Sequence, residues 1–211
     1  MSVPPSPTIV SAEFLAAAAD LQQLPPPTSI EIAFAGRSNV GKSSLMNRLL
    51  ARKGLVRTSS TPGCTRTINF FGISTSTGHA MTFVDLPGYG YARRAKTERE
   101  AWGDLVERYL LERVSLIAVV VVLDIRRPIE AAEHDLMTLL ADKPRVARPA
   151  PHTIAVATKL DKLRNAERKP ALAQIARALE RPVIGFSAET GDGRDELWAR
   201  LGKRLFEPPG A

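Results

Sequence analysis

From residue 30 onward this chain alternates two kinds of segment. Short apolar runs read IEIAFAG, INFFGIS, AMTFVDL, LIAVVVVLD, TIAVATKL and VIGFSAE. Between them lie SSLMNRLLARK, TEREAWGDLVERYLLER, AAEHDLMTLLAD, ALAQIARALE and DELWARLGKRLF, where apolar residues tend to recur every three or four positions. A run without polar alternation, such as LIAVVVVLD, suits a strand covered on both faces, since an exposed face would put half its side chains in water. Strands alternating with amphipathic helices predict an α/β fold, a mostly parallel central sheet with helices on both faces. After Thr97, the residues Trp102, Leu105, Val106 and Tyr109 fall at i, i+3, i+4 and i+7, which reads as core packing. Thr97 and Glu100 have the spacing of a capping box at the start of that helix.

Residues 1–29 stand apart from this alternation. An alanine-rich stretch around residues 11–21 predicts a short helix, which Pro25, Pro26 and Pro27 would stop and stiffen into a linker. The expected division is an N-terminal extension over 1–29, one domain over 30–207 and a tail over 208–211. With 211 residues, 44% of them apolar, the chain has enough apolar surface for a substantial core. A formal charge of +7 favours anionic partners, either nucleic acid or an acidic membrane surface. The one cysteine, Cys64, excludes an internal disulfide and argues against a cysteine-built metal site. None of His79, His134 and His152 pairs with another at a ligand spacing, so none is assigned a metal or a catalytic role. The N-terminus has no Lys or Arg before its apolar part and three prolines in its first seven residues, a poor export signal. The longest apolar run, 116–123, is too short to span a bilayer. A cytoplasmic monomer without membrane association is the expectation.

The chemistry concentrates in loops that follow the apolar runs. GRSNVGKS, residues 36–43, has the spacing G-x-x-x-x-G-K-[ST] between a predicted strand and a predicted helix, which makes the architecture that of a P-loop NTPase. Backbone N–H groups along Gly36, Arg37, Ser38, Asn39, Val40 and Gly41 offer partial positive charge to a phosphate, and side chains at the glycines would obstruct its approach. Lys42 adds a full charge toward the β- and γ-phosphates, the Ser43 hydroxyl is a candidate magnesium ligand, and Ser44 completes the phosphate-facing set. FVDLPGYG supplies the carboxylate and the sensor that such a site also needs. Asp85 ends a strand and would hold magnesium, and beyond Leu86 and Pro87 the N–H of Gly88 would meet the γ-phosphate, with glycine letting the loop pivot. Between the two lies RTSSTPGCTRTINFF, in which Gly63, Cys64 and Thr65 are expected to close on the nucleotide. Thr65, with Thr67 second, is the candidate hydroxyl for magnesium in the triphosphate state. The expected catalytic contacts are thus Lys42, Thr65 and Gly88, and the expected metal contacts Ser43, Thr65 and Asp85.

The base is addressed by TKLD, residues 158–161, at the end of the run TIAVA. There Asp161 can accept hydrogen bonds from guanine N1–H and its exocyclic amine, which adenine cannot supply, and a carboxylate left unpaired rejects the wrong base strongly. The Lys159 stem would cover one face of the base, and Thr158 would tie this loop to the phosphate loop. FSAE then places Ser187, Ala188 and Glu189 after the next strand, where the Ala188 N–H could recognise guanine O6. The expected ligands are GTP and GDP with Mg2+.

GRSNVGKSSLMN, TSSTPGCTRTINFF, VDLPGYGYA, VLDIRRP, ATKLDK and FSAE together resemble the EngB (YihA/YsxC) family of Era-like bacterial GTPases, over roughly residues 10–205. Thr158 stands where many GTPases have Asn, a variation usual within that family. The resemblance implies magnesium-dependent GTP binding, a role in maturation of the large ribosomal subunit, and a link to normal septation in cell division.

Many signalling GTPases place a glutamine after the D-x-x-G glycine to orient the attacking water, and here that residue is Tyr89. Slow unassisted turnover is expected, on the order of 10⁻³ s⁻¹ or less. Asn39 raises potassium as a further cofactor, because related Era-like proteins with asparagine there can recruit it. The basic stretch YARRAKTER, with Arg93, Arg94, Lys96 and Arg99, follows the γ-phosphate sensor and is the candidate contact for ribosomal RNA; Lys162, Arg164, Arg168 and Lys169 form a second patch. The leading reading is a nucleotide-dependent switch on the large ribosomal subunit or its rRNA. The alternative is a GTP-gated binding protein of the division machinery, and TKLD and FSAE argue against an ATP-using enzyme.

Overall fold

A computed structural model describes residues 6–56, 67–89 and 96–205. Seven strands, β1 (Ile9–Ala18), β2 (Glu31–Gly36), β3 (Ile68–Thr75), β4 (Ala80–Asp85), β5 (Leu116–Asp124), β6 (His152–Thr158) and β7 (Val183–Gly185), form one sheet in the order β1-β3-β4-β2-β5-β6-β7. β3 runs antiparallel to both its neighbours, and every other pairing is parallel. The helices are α1 (Lys42–Leu49), α2 (Lys96–Glu112), α3 (Ala131–Ala141), α4 (Asn165–Ala178) and α5 (Arg194–Leu205).

Two cores explain why the central strands are apolar without alternation. β2 sends Ile32 and Phe34 to one face and Ala33 and Ala35 to the other; β5 divides Val120 and Val122 from Val119, Val121 and Leu123. α1 and α5 close the first face through Leu45, Met46, Leu49, Leu197, Trp198 and Leu201. α2, α3 and α4 close the second through Leu105, Tyr109, Leu136, Leu140, Ile175 and Leu179. The expected sheet with helices on both faces is therefore what forms. The side chains of Thr97, Glu100 and Trp102 lie outside the described ones.

The stretch around residues 11–21 is not a helix. It is the edge strand β1, pairing antiparallel with β3, followed by a single 3-10 turn at Leu21–Gln23 that Asp20 caps by accepting from the N–H groups of Gln22 and Gln23. Helix preference per alanine amounts to tenths of a kcal/mol, and an isolated helix this short is marginal in water. Pairing with β3 instead satisfies the backbone and buries Ile9 and Ala18 in the two cores. Two register shifts leave Val10 and Leu15 as extra, exposed residues, bulges of the kind that discourage further strand pairing at an edge.

At the amino edge of the parallel strands, Glu31 is buried at the start of β2. It accepts a hydrogen bond from the Tyr109 hydroxyl at 2.9 Å and a two-pronged ion pair from Arg113, with contacts down to 2.5 Å, joining the end of α2 to the sheet. Burial first, then the Glu31 charge, pushes the Tyr109 hydroxyl well above its ordinary range.

Candidate nucleotide-binding site

The opposite, carboxyl edge gathers the loops that carry the chemistry. β2 ends at Gly36, β4 at Asp85, β5 at Asp124 and β6 at Thr158, and β7 leads through Phe186 to Ser187. In open α/β sheets this edge is where ligands bind. Gly36 packs so closely on β5 that a Cβ there would stand 2.5 Å from the Val122 carbonyl oxygen. Asn39 and Gly41 both take positive φ, 66° and 99°, and Gly41 caps α1. Their turn brings the chain into the helix, with the side chain of Lys42 buried and those of Ser43 and Ser44 half-buried in its first turn.

The segment after β4 lies directly against this loop. Asp85, itself buried, accepts a hydrogen bond from the Lys42 ammonium, so each charge is neutralised by the other. The Gly88 backbone touches Ser38: a Cβ at Gly88 would come within 2.8 Å of the serine Oγ and 2.9 Å of its nitrogen. The Tyr89 N–H donates to the Gly36 carbonyl and Ser38 N–H to the Tyr89 carbonyl, both at 3.4 Å. Leu86 and Pro87 are buried beneath this bridge.

Tyr89 packs against the core on the α2–α4 face. Its hydroxyl is buried and finds no hydrogen-bond partner among the described residues. Burial pushes its pKa well up, assisted by the Glu133 carboxylate and opposed by Arg37. Arg37 in turn pairs with Glu130 at 2.5 Å and reaches Glu133 at 3.9 Å, linking the phosphate loop to the start of α3. A buried hydroxyl without a partner costs about 1–3 kcal/mol. Tyr89→Phe is therefore expected to melt no lower than the parent and up to several degrees higher; a lowered melting temperature would show that the hydroxyl has a partner.

At the far side, the Thr158 hydroxyl lies within reach of the carbonyls of Val40 and, at 2.8 Å, Leu123, and can give its one proton to either, which brings the loop after β6 against the phosphate loop. Lys159, at φ 63°, sends its ammonium to the Asn39 carbonyl at 2.7 Å and the Asp124 carboxylate at 2.9 Å. Asp161 accepts from the buried Ser187 hydroxyl at 2.7 Å and pairs with Lys162 at 3.1 Å; the serine bond is the main reason its carboxyl lies below its ordinary pKa. Ser187 Oγ also accepts the N–H groups of Glu189 and Thr190, building the loop that contains Ala188.

Asp124 is a residue that sequence reasoning passes over. Its signal is the carboxylate ending an otherwise apolar run, at the same sheet edge as TKLD. The side chain is fully buried and takes three charge-assisted bonds: from Arg126 Nε at 2.9 Å, a second Arg126 guanidinium nitrogen at 2.8 Å, and Lys159. Burial alone would raise its pKa, but the bonds from Arg126 and Lys159 hold it well below the carboxylate range.

Gly63, Cys64 and Thr65 lie outside the described residues, as do Arg93 and Arg94 and the side chains of Lys96 and Arg99. Thr67 is described, and its hydroxyl bonds to Asn69 at 3.1 Å. In the second basic patch Lys162, Arg164 and Lys169 are exposed, while Arg168 is partly occupied by Asp192 at 3.5 Å. Among the described residues no group of three or more His, Cys, Asp or Glu could hold a metal ion, and no helix is long and apolar enough to cross a membrane.

Residues 31–159 match the profile of the family described as 50S ribosome-binding GTPase. The probable GTP-binding protein EngB of Anaeromyxobacter sp. (strain K) is 44% identical over 209 residues, 95% of this chain and 94% of that one. The protein of the same name from Desulfatibacillum aliphaticivorans is 46% identical over 196 residues, 92% of this chain and 91% of that one. A crystal structure of a probable GTP-binding protein EngB is similar with a TM-score of 0.64 at 27% identity, covering 84% of this chain and all of that one.

Proposed function

The chain belongs to the EngB family of GTP-binding proteins, and from that premise we propose that it is a slow, magnesium-dependent GTP hydrolase whose triphosphate form engages the large ribosomal subunit or its RNA. The observation that carries this reading is the convergence at one sheet edge of a phosphate loop, the Asp85–Gly88 segment lying on it, and the base loops of Thr158–Asp161 and Ser187–Glu189.

The residues divide the work. The loop from Gly36 to Ser44 receives the phosphates on backbone N–H groups, and Lys42 turns from Asp85 to the β- and γ-phosphates. Ser43, which follows Lys42, and Asp85, which touches its ammonium, are hard oxygen donors of the kind magnesium takes when phosphate oxygens and water complete its shell. That ion, when bound, neutralises charge between the β- and γ-phosphates. With nucleotide bound, Lys42 would exchange its pairing with Asp85 for the phosphates, and Asp85 would be freed to help hold the cation. Gly88, in contact with Ser38, is the candidate sensor of the γ-phosphate, and Thr65 the candidate hydroxyl that closes from the other side. Asp161 and the Ala188 N–H read guanine while the Lys159 stem covers it.

Tyr89 packs against the core on the α2–α4 face with its hydroxyl buried, and it stands where a water-orienting glutamine would be, which supports slow unassisted turnover, on the order of 10⁻³ s⁻¹. Rapid hydrolysis by the unassisted protein would overturn this. Asn39, exposed in the loop, is the candidate contact for potassium, and equal rates in sodium and potassium would remove that ion from the reading. The positive charge of the chain and its match to the 50S ribosome-binding GTPase family favour an RNA-rich partner.

The test is sedimentation with large ribosomal subunits, comparing a non-hydrolysable GTP analogue with GDP at moderate salt. Association with the analogue that weakens as salt rises is the expected result. Absence of association in both states would overturn the ribosomal reading.

A further inference from the structure

The buried Asp124 carboxylate is spent on protein partners, and it stands where three elements of the site meet. It ends β5, between the phosphate loop from β2 and the base loop from β6. Lys159 is held at two points, the Asn39 carbonyl at 2.7 Å and Asp124 at 2.9 Å, so its ammonium bridges the phosphate loop to the end of β5. An ammonium on a four-carbon stem is otherwise among the most mobile side chains, and ordering it costs rotamer entropy. Asp124 is itself fixed from the other side by Arg126, whose guanidinium binds both carboxylate oxygens while its side chain remains 44% exposed.

We propose that Asp124 is a positioning residue for guanine-nucleotide binding, acting through Lys159: it locks the base-covering stem onto the phosphate loop, so that the base and phosphate ends of the site form one rigid unit before ligand arrives. This rests on the guanine reading of Thr158–Asp161. Because the lock involves neither Asp85 nor Gly88, its loss raises the dissociation rates of GDP and GTP by the same factor. In the Asp124→Asn protein the neutral amide could still accept from Lys159 but would no longer hold it by charge, which sets the expected effect at about tenfold.

The experiment is a double-variant cycle read by dissociation of a fluorescent GDP analogue and of the matching GTP analogue. Asp124→Asn is expected to speed release of both about tenfold, and Lys159→Met, which keeps the stem and removes the charge, to do the same. In the Lys159→Met background Asp124→Asn should change release less than twofold. Full, additive effects in the two backgrounds would overturn the proposal, as would an Asp124→Asn protein with the parent's release rates. Should Asp124→Asn not fold, Asp124→Leu combined with Lys159→Met replaces both partners of the ion pair. Release matching that of Lys159→Met alone supports the proposal, and a further tenfold acceleration overturns it. A parent that holds neither analogue overturns the guanine reading together with this one, whereas a parent that binds tightly beside an unaltered Asp124→Asn overturns this one alone.

Discussion

Asp161→Asn is expected to weaken GTP by about a hundredfold or more while improving xanthosine triphosphate relative to GTP. In the parent each Asp161 oxygen already has one protein donor, Ser187 at 2.7 Å on one and Lys162 at 3.1 Å on the other. A carboxylate has about four acceptor sites; Ser187 and the residue's own N–H hold two, and Lys162, 60% exposed, can turn to solvent, which leaves acceptor directions for guanine N1–H and the exocyclic amine. Asparagine keeps one acceptor, which Ser187 can continue to hold, and turns the other atom into an N–H₂ donor facing the guanine amine. Two donors then oppose each other across the contact, and one charge-assisted bond is lost. Xanthine carries an oxygen in place of that amine, so it meets the new donor correctly. Competition of unlabelled GTP and xanthosine triphosphate against a fluorescent nucleotide measures both constants. Unchanged GTP affinity would show that another carboxylate reads the base.

How much of this is legible in the sequence depends on whether a position's role is local. The phosphate loop and the TKLD and FSAE loops are set by short-range geometry, a glycine that must approach β5 closely, a left-handed turn, a carboxylate at a strand end. Their relative placement follows from strand order, so Thr158 does meet the loop at Val40. β1 reads wrongly as a helix because alanine-rich composition speaks only to local preference, whereas the free hydrogen-bonding edge of β3, more than 50 residues away, decides the outcome. Asp124 and Glu31 carry too little signal for a different reason. A charged residue at the end of an apolar run reads as a solvated strand terminus until the partners from other elements, Lys159 for one and Arg113 for the other, are seen in place.

That second pair carries the largest expected effect on stability. Glu31 begins the strand that delivers the phosphate loop, and its carboxylate is 2% exposed, held by Arg113 and Tyr109 from the end of α2. Removing it by Glu31→Ala leaves the Arg113 guanidinium, 8% exposed, without its counter-charge and the Tyr109 hydroxyl without its acceptor. An uncompensated charge at such a site costs about 3–5 kcal/mol, which for a chain of this size lowers the melting temperature by roughly 6–20 °C. The Arg113 side chain also lies over the Phe70 ring, 5.6 Å from its centre, so the arginine cannot simply swing into water without uncovering that ring. Replacing all three polar groups, Glu31→Leu with Arg113→Met and Tyr109→Phe, should recover most of the loss, because exchanging a buried pair for apolar groups of similar volume is often neutral and no hydroxyl is left without an acceptor. Since Glu31 and the phosphate loop sit at opposite ends of β2, the rise in melting temperature on adding excess GDP should be similar in parent and Glu31→Ala protein. A Glu31→Ala protein that melts with the parent would show that α2 is held by its apolar contacts alone; one that melts low and also loses the GDP-induced rise would show that the amino end of β2 governs the geometry of the loop at its other end.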